Sequence, residues 1–262
     1  EHPIARQLLL DNKLSGVEIV STADVPSGTG LSTSSAYTVG LLKAIYAFQG
    51  KYVAQEKIAQ RACELEIEKL GEPIGKQDQY GTAIGGMKFI KFLPDDRVEV
   101  EPIYSNRKYL KELEKNLLLF YTGLSHKAGE ILKVQGKNVA SEKDKFNNLV
   151  KMTELAYGMR RALIEGKIDD FGSILNENWL LKRKLASGIS NEFIEEHYET
   201  AMNNGALGGK LLGAGGGGFL LFYCPKEKQN RLRAALYDLV ELPFCFESSG
   251  TKVIYVGEKD WD

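Results

Sequence analysis

Val25-Pro26-Ser27-Gly28-Thr29-Gly30-Leu31-Ser32-Thr33-Ser34-Ser35-Ala36 is a glycine turn that passes through a run of hydroxyl residues into an apolar stretch, Tyr37 to Phe48. Gly28 and Gly30 permit backbone angles that a Cβ would forbid, so several N–H groups can converge in front of a helix. The first amides of that helix lack intrahelical partners and carry the positive end of its dipole, which makes the turn an anion cradle suited to phosphate. Ser32, Thr33, Ser34 and Ser35 can cap the helix, bind phosphate oxygens or ligate a divalent cation, and four hydroxyls exceed what capping needs. Two commoner phosphate motifs fail on spacing. The nearest approach to G-x-x-x-x-G-K-[ST], Gly71 to Gln77, is one residue short and lacks the hydroxyl, and G-x-G-x-x-G fails because Thr33 stands where the third glycine belongs.

The 262 residues are 43% hydrophobic and 26% charged with a net charge of -1, a composition that predicts a folded protein of one large or two small domains. No basic run extends beyond Lys182-Arg183-Lys184, which leaves no electrostatic basis for general nucleic-acid binding. No apolar run approaches the roughly 20 residues that cross a bilayer, so a membrane partner is not expected. Cys63, Cys224 and Cys245 are odd in number and lie in apolar or helical contexts, reading as buried small hydrophobes in a reducing compartment, with the cytoplasm as the expected location. Glu1-His2-Pro3 leads directly into a helix-like stretch, Ile4 to Leu10, and the numbering is expected to begin inside a larger polypeptide.

Before the cradle, Val17 to Ala23 is β-rich and reads as a strand; after it, Ser34 to Phe48 is apolar nearly all round and reads as a buried helix. In the next helix, about Ala54 to Leu70, the spacing puts Lys57, Arg61, Glu64 and Glu68 on a solvated face and Ala59, Cys63, Glu66 and Leu70 on the other. Glu66 is thus an acid on an apolar stripe, and a buried carboxylate needs a cationic partner. Pro73 ends this helix, and Asp78 is expected in a loop between Gly75 and Gly81, where it has no helix or strand to stabilise. Gly85 to Phe92 and Arg97 to Ile103 read as a hairpin across Pro94-Asp95-Asp96, and Leu117 to Thr122 as a buried strand. Helix is expected from Ala128 to about Arg183 with breaks near Gly136, Gly166 and Gly188, then over Asn191 to Asn203. A lobe boundary is placed between 125 and 140, dividing the chain into 1–135 and 136–262. Phe219 to Tyr223 reads as strand, Pro225 to Val240 as helix, and Phe244 to Glu247 and Val253 to Val256 as closing strands. Ahead of these, Gly208 to Phe219 has glycine at five of its positions 213 to 218, forfeiting strand propensity for close backbone approach.

Pro26, Gly28, Gly30, Leu31, Ser34 and Ala36 resemble the phosphate-binding motif of the GHMP kinases, roughly Pro-x-x-x-Gly-Leu-Gly-Ser-Ser-Ala, with Ser32 replacing a glycine and Thr33 a serine. Glu66, Gly71, Pro73, Gly75, Asp78 and Gln79 match the spacing of the sugar-phosphate branch of that family. The stretches Gly71-Glu-Pro-Ile-Gly-Lys-Gln-Asp-Gln-Tyr80 and Trp179 to Ser190 narrow the resemblance to its members that act on D-glycero-D-manno-heptose 7-phosphate. The resemblance implies an α+β, two-lobed fold with a ribosomal protein S5 domain 2-like N-terminal lobe and a ferredoxin-like C-terminal lobe. It implies an ATP-dependent kinase acting on the anomeric hydroxyl of a sugar phosphate, with ATP and Mg²⁺ as cofactors and a homodimer left open. By the same resemblance Pro26, Ser27, Gly28, Thr29, Gly30, Leu31, Ser32, Thr33, Ser34 and Ser35 hold ATP phosphates, Ser34 and Glu66 hold Mg²⁺, and Asp78 contacts the acceptor hydroxyl as base or charge stabiliser. Gly213, Gly215 and Gly216 belong to a loop that supports the cradle. Gln77, Thr122, Gly123, Lys182 and Arg183 are candidate sugar-phosphate contacts, the basic cluster reading equally as a solvated helix face. Family members carry an N-terminal motif with a basic residue that pairs with the catalytic Asp, and nothing in Glu1 to Val20 resembles it.

Overall fold

The computed structural model describes residues 2–125 and 128–257; Glu1, and His126 and Lys127 within the expected boundary window, lie outside the described residues. The chain forms two compact units, one of Glu1–Ser27, Ser32–Val98 and Glu247–Asp262, the other of Gly28–Leu31 and Glu99–Phe246. The expected single division near residue 135 therefore falls inside the second unit. The end of the chain returns to the first, where the Gly86 amide donates to the Glu247 carbonyl at 2.9 Å and the Gln55 side chain donates to the carbonyls of Ser249 and Thr251 at 2.8 and 3.2 Å.

In the first unit, α1 (Pro3–Asp11), α2 (Thr33–Phe48), α3 (Gln55–Cys63) and α4 (Gln77–Ala83) bury Ile4, Leu8, Val39, Leu42, Ile45, Ile58, Ala59 and Ala83. Helix α2 is buried on one side only. Ala36, Gly40, Ala44 and Phe48, spaced by four, form an exposed line, so the expectation of burial all round is corrected. The second amphipathic helix keeps its expected faces but changes winding: after Cys63 it continues as a π-helix, Glu64–Lys69, in which the Leu70 amide reaches back five residues to the Leu65 carbonyl at 3.0 Å. The wider turn leaves both Leu65 and Glu66 buried. Residues 17–23, 244–247 and 253–256 belong to no strand among the described residues, because β propensity does not make a strand without a neighbouring backbone to pair with. Strand β1 (Lys88–Phe92) is followed by the expected tight turn, closed by the Leu93 amide on the Arg97 carbonyl at 2.9 Å; β2 (Val98–Pro102) starts at the last residue of this segment and its remaining residues are counted in the second unit.

In the second unit, α5 (Arg107–Asn116) precedes β3 (Leu117–Tyr121). The expected helical region resolves into α6 (Ala128–Ser141), α7 (Lys143–Glu165) and α8 (Ile168–Lys182). Gly136 does not break α6, since one helical glycine costs only about 1 kcal/mol; Gly166, at φ 74°, does end α7. After α9 (Glu192–Asn203), strands β4 (Gly208–Leu211) and β5 (Phe219–Tyr223) flank the second glycine run. Beyond Pro225 a 3₁₀ turn and α10 (Gln229–Ala235) replace the longer expected helix, and Val240–Glu241 is strand β6. The sheet order is β4-β5-β3-β6, with Leu119 opposite Leu221 and Lys210 opposite Leu221. Leu118, Phe120, Leu211, Leu220 and Phe222 join Trp179, Ile194 and Tyr198 in one buried cluster, because alternate strand residues share a face. All three cysteines are free. Burial raises the thiols of Cys63 to about 12 and Cys224 to about 11, whereas Cys245, expected to be buried, is exposed.

His197 on α9 donates Nδ1–H to the Phe193 carbonyl at 2.7 Å and Nε2–H to Asp238 at 2.9 Å. Burial alone would lower its pKa, but these two acceptors outweigh it and raise the value above 6.5, while His197 holds Asp238 below 3.8. A raised histidine contributes stability below its unfolded pKa and loses it as pH rises through the folded one; a lowered aspartate behaves oppositely. A double-mutant cycle on His197 and Asp238 by chemical denaturation is expected to give its largest coupling between pH 3.8 and 6.5, falling on either side.

Candidate functional site

Residues 28–31 and the second glycine run meet backbone to backbone in the second unit. Gly28 and Gly30 have φ of 74° and 80°, the left-handed region that glycine adopts without a Cβ penalty. A Cβ on Gly30 would lie 2.8 Å from the Leu212 carbonyl oxygen, one on Gly213 2.5 Å from the Gly30 Cα, and one on Gly218 2.2 Å from the Thr29 carbonyl oxygen. The loop is anchored in turn: the Gly216 amide donates to the Ile189 carbonyl at 2.8 Å, the Gly218 amide to the Leu124 carbonyl at 2.9 Å, and a Cβ on Gly215 would strike the Ile189 backbone at 2.5 Å. Thr29 is fully buried, so its side chain belongs to this packing.

In the first unit Ser32 caps α2 with φ 56°, taking the left-handed conformation of the glycine it replaces. Ser35 is buried, whereas Ser34 is exposed on the first turn, and its hydroxyl donates to Glu66 Oε1 at 2.8 Å. The second carboxylate oxygen, Oε2, accepts from the Gln79 amide at 2.7 Å. Glu66 is 1% exposed and meets no cation among the described residues. The Gln79 side-chain oxygen, Oε1, is buried without a hydrogen-bond partner among the described residues. A desolvated carboxylate held by two neutral donors fits a divalent cation. Among the described residues no group of three or more His, Cys, Asp or Glu gathers, so such an ion would take most of its ligands from phosphate and water, as Mg²⁺ commonly does.

Asp78 lies in the first turn of α4, correcting the expected loop. An acid in a first turn complements the helix dipole, and the Tyr80 and Ile84 amides close backbone bonds on the Lys76 and Tyr80 carbonyls at 3.4 and 3.2 Å, so a helix forms despite Gly81. The Asp78 carboxylate is half-buried, adjoins Gln79 in sequence and makes no hydrogen bond or ion pair among the described residues. Gln77, beside it, is exposed.

The remaining candidates divide. The Thr122 amide and hydroxyl both donate to the Gly218 carbonyl, at 2.9 and 2.8 Å, so its side chain secures the glycine loop; Gly123, at φ 72°, has open space where a Cβ would stand. Lys182 donates to the Gly213 carbonyl, and Arg183 pairs with Glu195. The basic cluster therefore braces the loop and α9. Gln79, missing from the expected metal set, was signalled by its place in the Asp78-Gln79 motif; the Arg183 partner had no sequence signal, since the end of α8 and the start of α9 meet only in the fold.

No helix among the described residues is long and apolar enough to cross a membrane. Residues 4–86 match the family model for the GHMP kinases N terminal domain and residues 159–241 that for GHMP kinases C terminal. The chain is 34% identical over 213 residues to a D-glycero-alpha-D-manno-heptose 7-phosphate kinase of Campylobacter jejuni, covering 81% of this chain and 62% of that protein. It is also 34% identical over 230 residues to a bifunctional fucokinase/GDP-fucose pyrophosphorylase of Arabidopsis thaliana, covering 86% of this chain and 22% of that protein. The chain thus spans less than two thirds of the length of either relative. A crystal structure of a D-glycero-D-manno-heptose 1-phosphate kinase from Bacteroides thetaiotaomicron superposes with a TM-score of 0.71 at 27% identity, covering 97% of this chain and 74% of that one.

Gly30→Ala must accommodate both a left-handed residue and a 2.8 Å clash with backbone, so it is expected to destabilise by about 2 kcal/mol or more in denaturant unfolding, and Gly213→Ala similarly.

Proposed function

The chain belongs to the GHMP kinases, and from that premise we propose that its protein transfers the γ-phosphoryl group of ATP to the anomeric hydroxyl of D-glycero-D-manno-heptose 7-phosphate. The product is the 1,7-bisphosphate, which serves nucleotide-activated heptose synthesis. The observation that carries the reading is Glu66, a buried carboxylate tied to the first turn of the helix that follows the glycine turn and paired with no cation among the described residues. A non-catalytic binding protein need not keep that charge. The heptose 7-phosphate kinase similarity supports the acceptor.

Phosphoryl transfer asks for positioning and charge neutralisation rather than covalent chemistry by the protein. The amides of residues 28–31 receive the phosphate tail at the glycine turn. Ser34 and Glu66 would hold Mg²⁺, which supplies charge neutralisation of the phosphates. Asp78, a carboxylate with no partner among the described residues, orients the acceptor hydroxyl and takes its proton or stabilises the charge that develops there. A second reading keeps the chemistry and changes the sugar to a fucose or galactose type; the fucokinase similarity favours weighing it.

ADP release by the full-length protein across a panel of heptose 7-phosphate, unphosphorylated heptose, fucose and galactose separates the readings. Turnover confined to the first supports the heptose assignment, and none with any sugar, in a protein that binds ATP, rejects the kinase. Asp78→Asn should lower kcat by about 10²-fold or more with ATP affinity retained; Glu66→Gln should raise the Mg²⁺ concentration for half-maximal activity about tenfold or more.

A further inference from the structure

Lys210 occupies the middle of β4, opposite Leu221, which in turn faces Leu119 on β3. Its neighbour Leu211 joins Leu118, Phe120, Leu220 and Phe222 in the core. Strand alternation therefore places Lys210 in a row with Leu221 and Leu119 on the opposite face. The residue is half-buried, and burial alone holds its ammonium below the ordinary lysine range. Among the described residues the ammonium meets no carboxylate and no hydrogen-bond acceptor. A desolvated cation without a counter-charge is costly, and lysine is a poor strand former, so an apolar residue would serve β4 better.

Its place along the chain indicates what offsets that cost. Two residues on, the Leu212 carbonyl lies against Gly30, and Gly213 packs on the Gly30 Cα. Other cations near this loop are already committed, Lys182 to the Gly213 carbonyl and Arg183 to Glu195. Among the described residues Lys210 is uncommitted, at the foot of the same loop.

We propose that Lys210 is a further phosphate-contacting residue, whose counter-charge is a phosphate group of a substrate bound at the Gly28–Leu31 turn. The inference rests on the kinase reading for the presence of such substrates. Two sources share the chemistry: the phosphate tail of the nucleotide and the phosphate already on the sugar.

The test compares full-length wild type with Lys210→Met and Lys210→Arg, by equilibrium binding of ATP, inorganic tripolyphosphate, heptose 7-phosphate and unphosphorylated heptose, and by melting temperature without ligand. Lys210→Met should melt no lower than wild type, because it removes an unpaired charge, and should lose about tenfold or more in affinity for a phosphate ligand, with Lys210→Arg retaining most of it. Loss toward ATP and tripolyphosphate assigns the nucleotide tail; loss toward heptose 7-phosphate but not heptose assigns the acceptor. Affinities within twofold of wild type, or a lower melting temperature with unchanged affinities, overturn the proposal, as does absence of wild-type binding to every phosphate ligand. If Lys210→Met does not fold, Lys210→Gln is read by the same criteria. Binding is measured without turnover, so an inactive wild type rejects the kinase reading while the titrations still decide Lys210.

Discussion

The contact between two stretches of glycine backbone, residues 28–31 and 212–218, is the constraint on which the second unit's part of the site depends. Would-be Cβ positions at Gly30, Gly213 and Gly218 fall 2.2 to 2.8 Å from opposing main-chain atoms. Backbone cannot yield as the end of a flexible side chain can, so the approach exists only while these positions lack side chains. Strand pairing holds one partner: β4 and β5 run antiparallel on either side of residues 212–218, and Thr122, just beyond β3, binds the Gly218 carbonyl twice. Residues 28–31 are thereby counted with the second unit although the chain on both sides of them belongs to the first.

The first unit is organised around a different cost, the burial of the Glu66 carboxylate. Ser34 and Gln79 each satisfy one of its oxygens, and neither neutralises it. The π-turn leaves this acid in the interior together with its neighbour Leu65. Glu66 and Lys210 thus pose the same physical problem with opposite signs, each left without a counter-charge among the described residues.

Much of this was legible along the chain because it depends on local spacing. Gly28, Gly30 and the hydroxyl run identify a phosphate turn, the 3–4 periodicity of residues 57–68 singles out Glu66 among its neighbouring acids, and the glycine density of 213–218 implies close backbone approach. Readings that needed a partner fared differently. Val17 to Ala23 has strand composition yet pairs with nothing described, Asp78 sits in the first turn of a helix, and the exposed line Ala36, Gly40, Ala44 and Phe48 cannot be told from a buried one by hydrophobicity.

Sequence by itself determined the chemistry available: which residues can accept phosphate, which acids stand out, and where a Cβ is excluded, since these follow from residue type and short-range geometry. Tertiary structure alone decided which of those groups are already engaged. It assigned Thr122 and Lys182 to the glycine loop and Arg183 to Glu195, and it left Glu66, Asp78 and Lys210 without opposite charges among the described residues. Whether a charged group is free depends on neighbours brought together from distant parts of the chain, and spacing along a sequence carries no record of them.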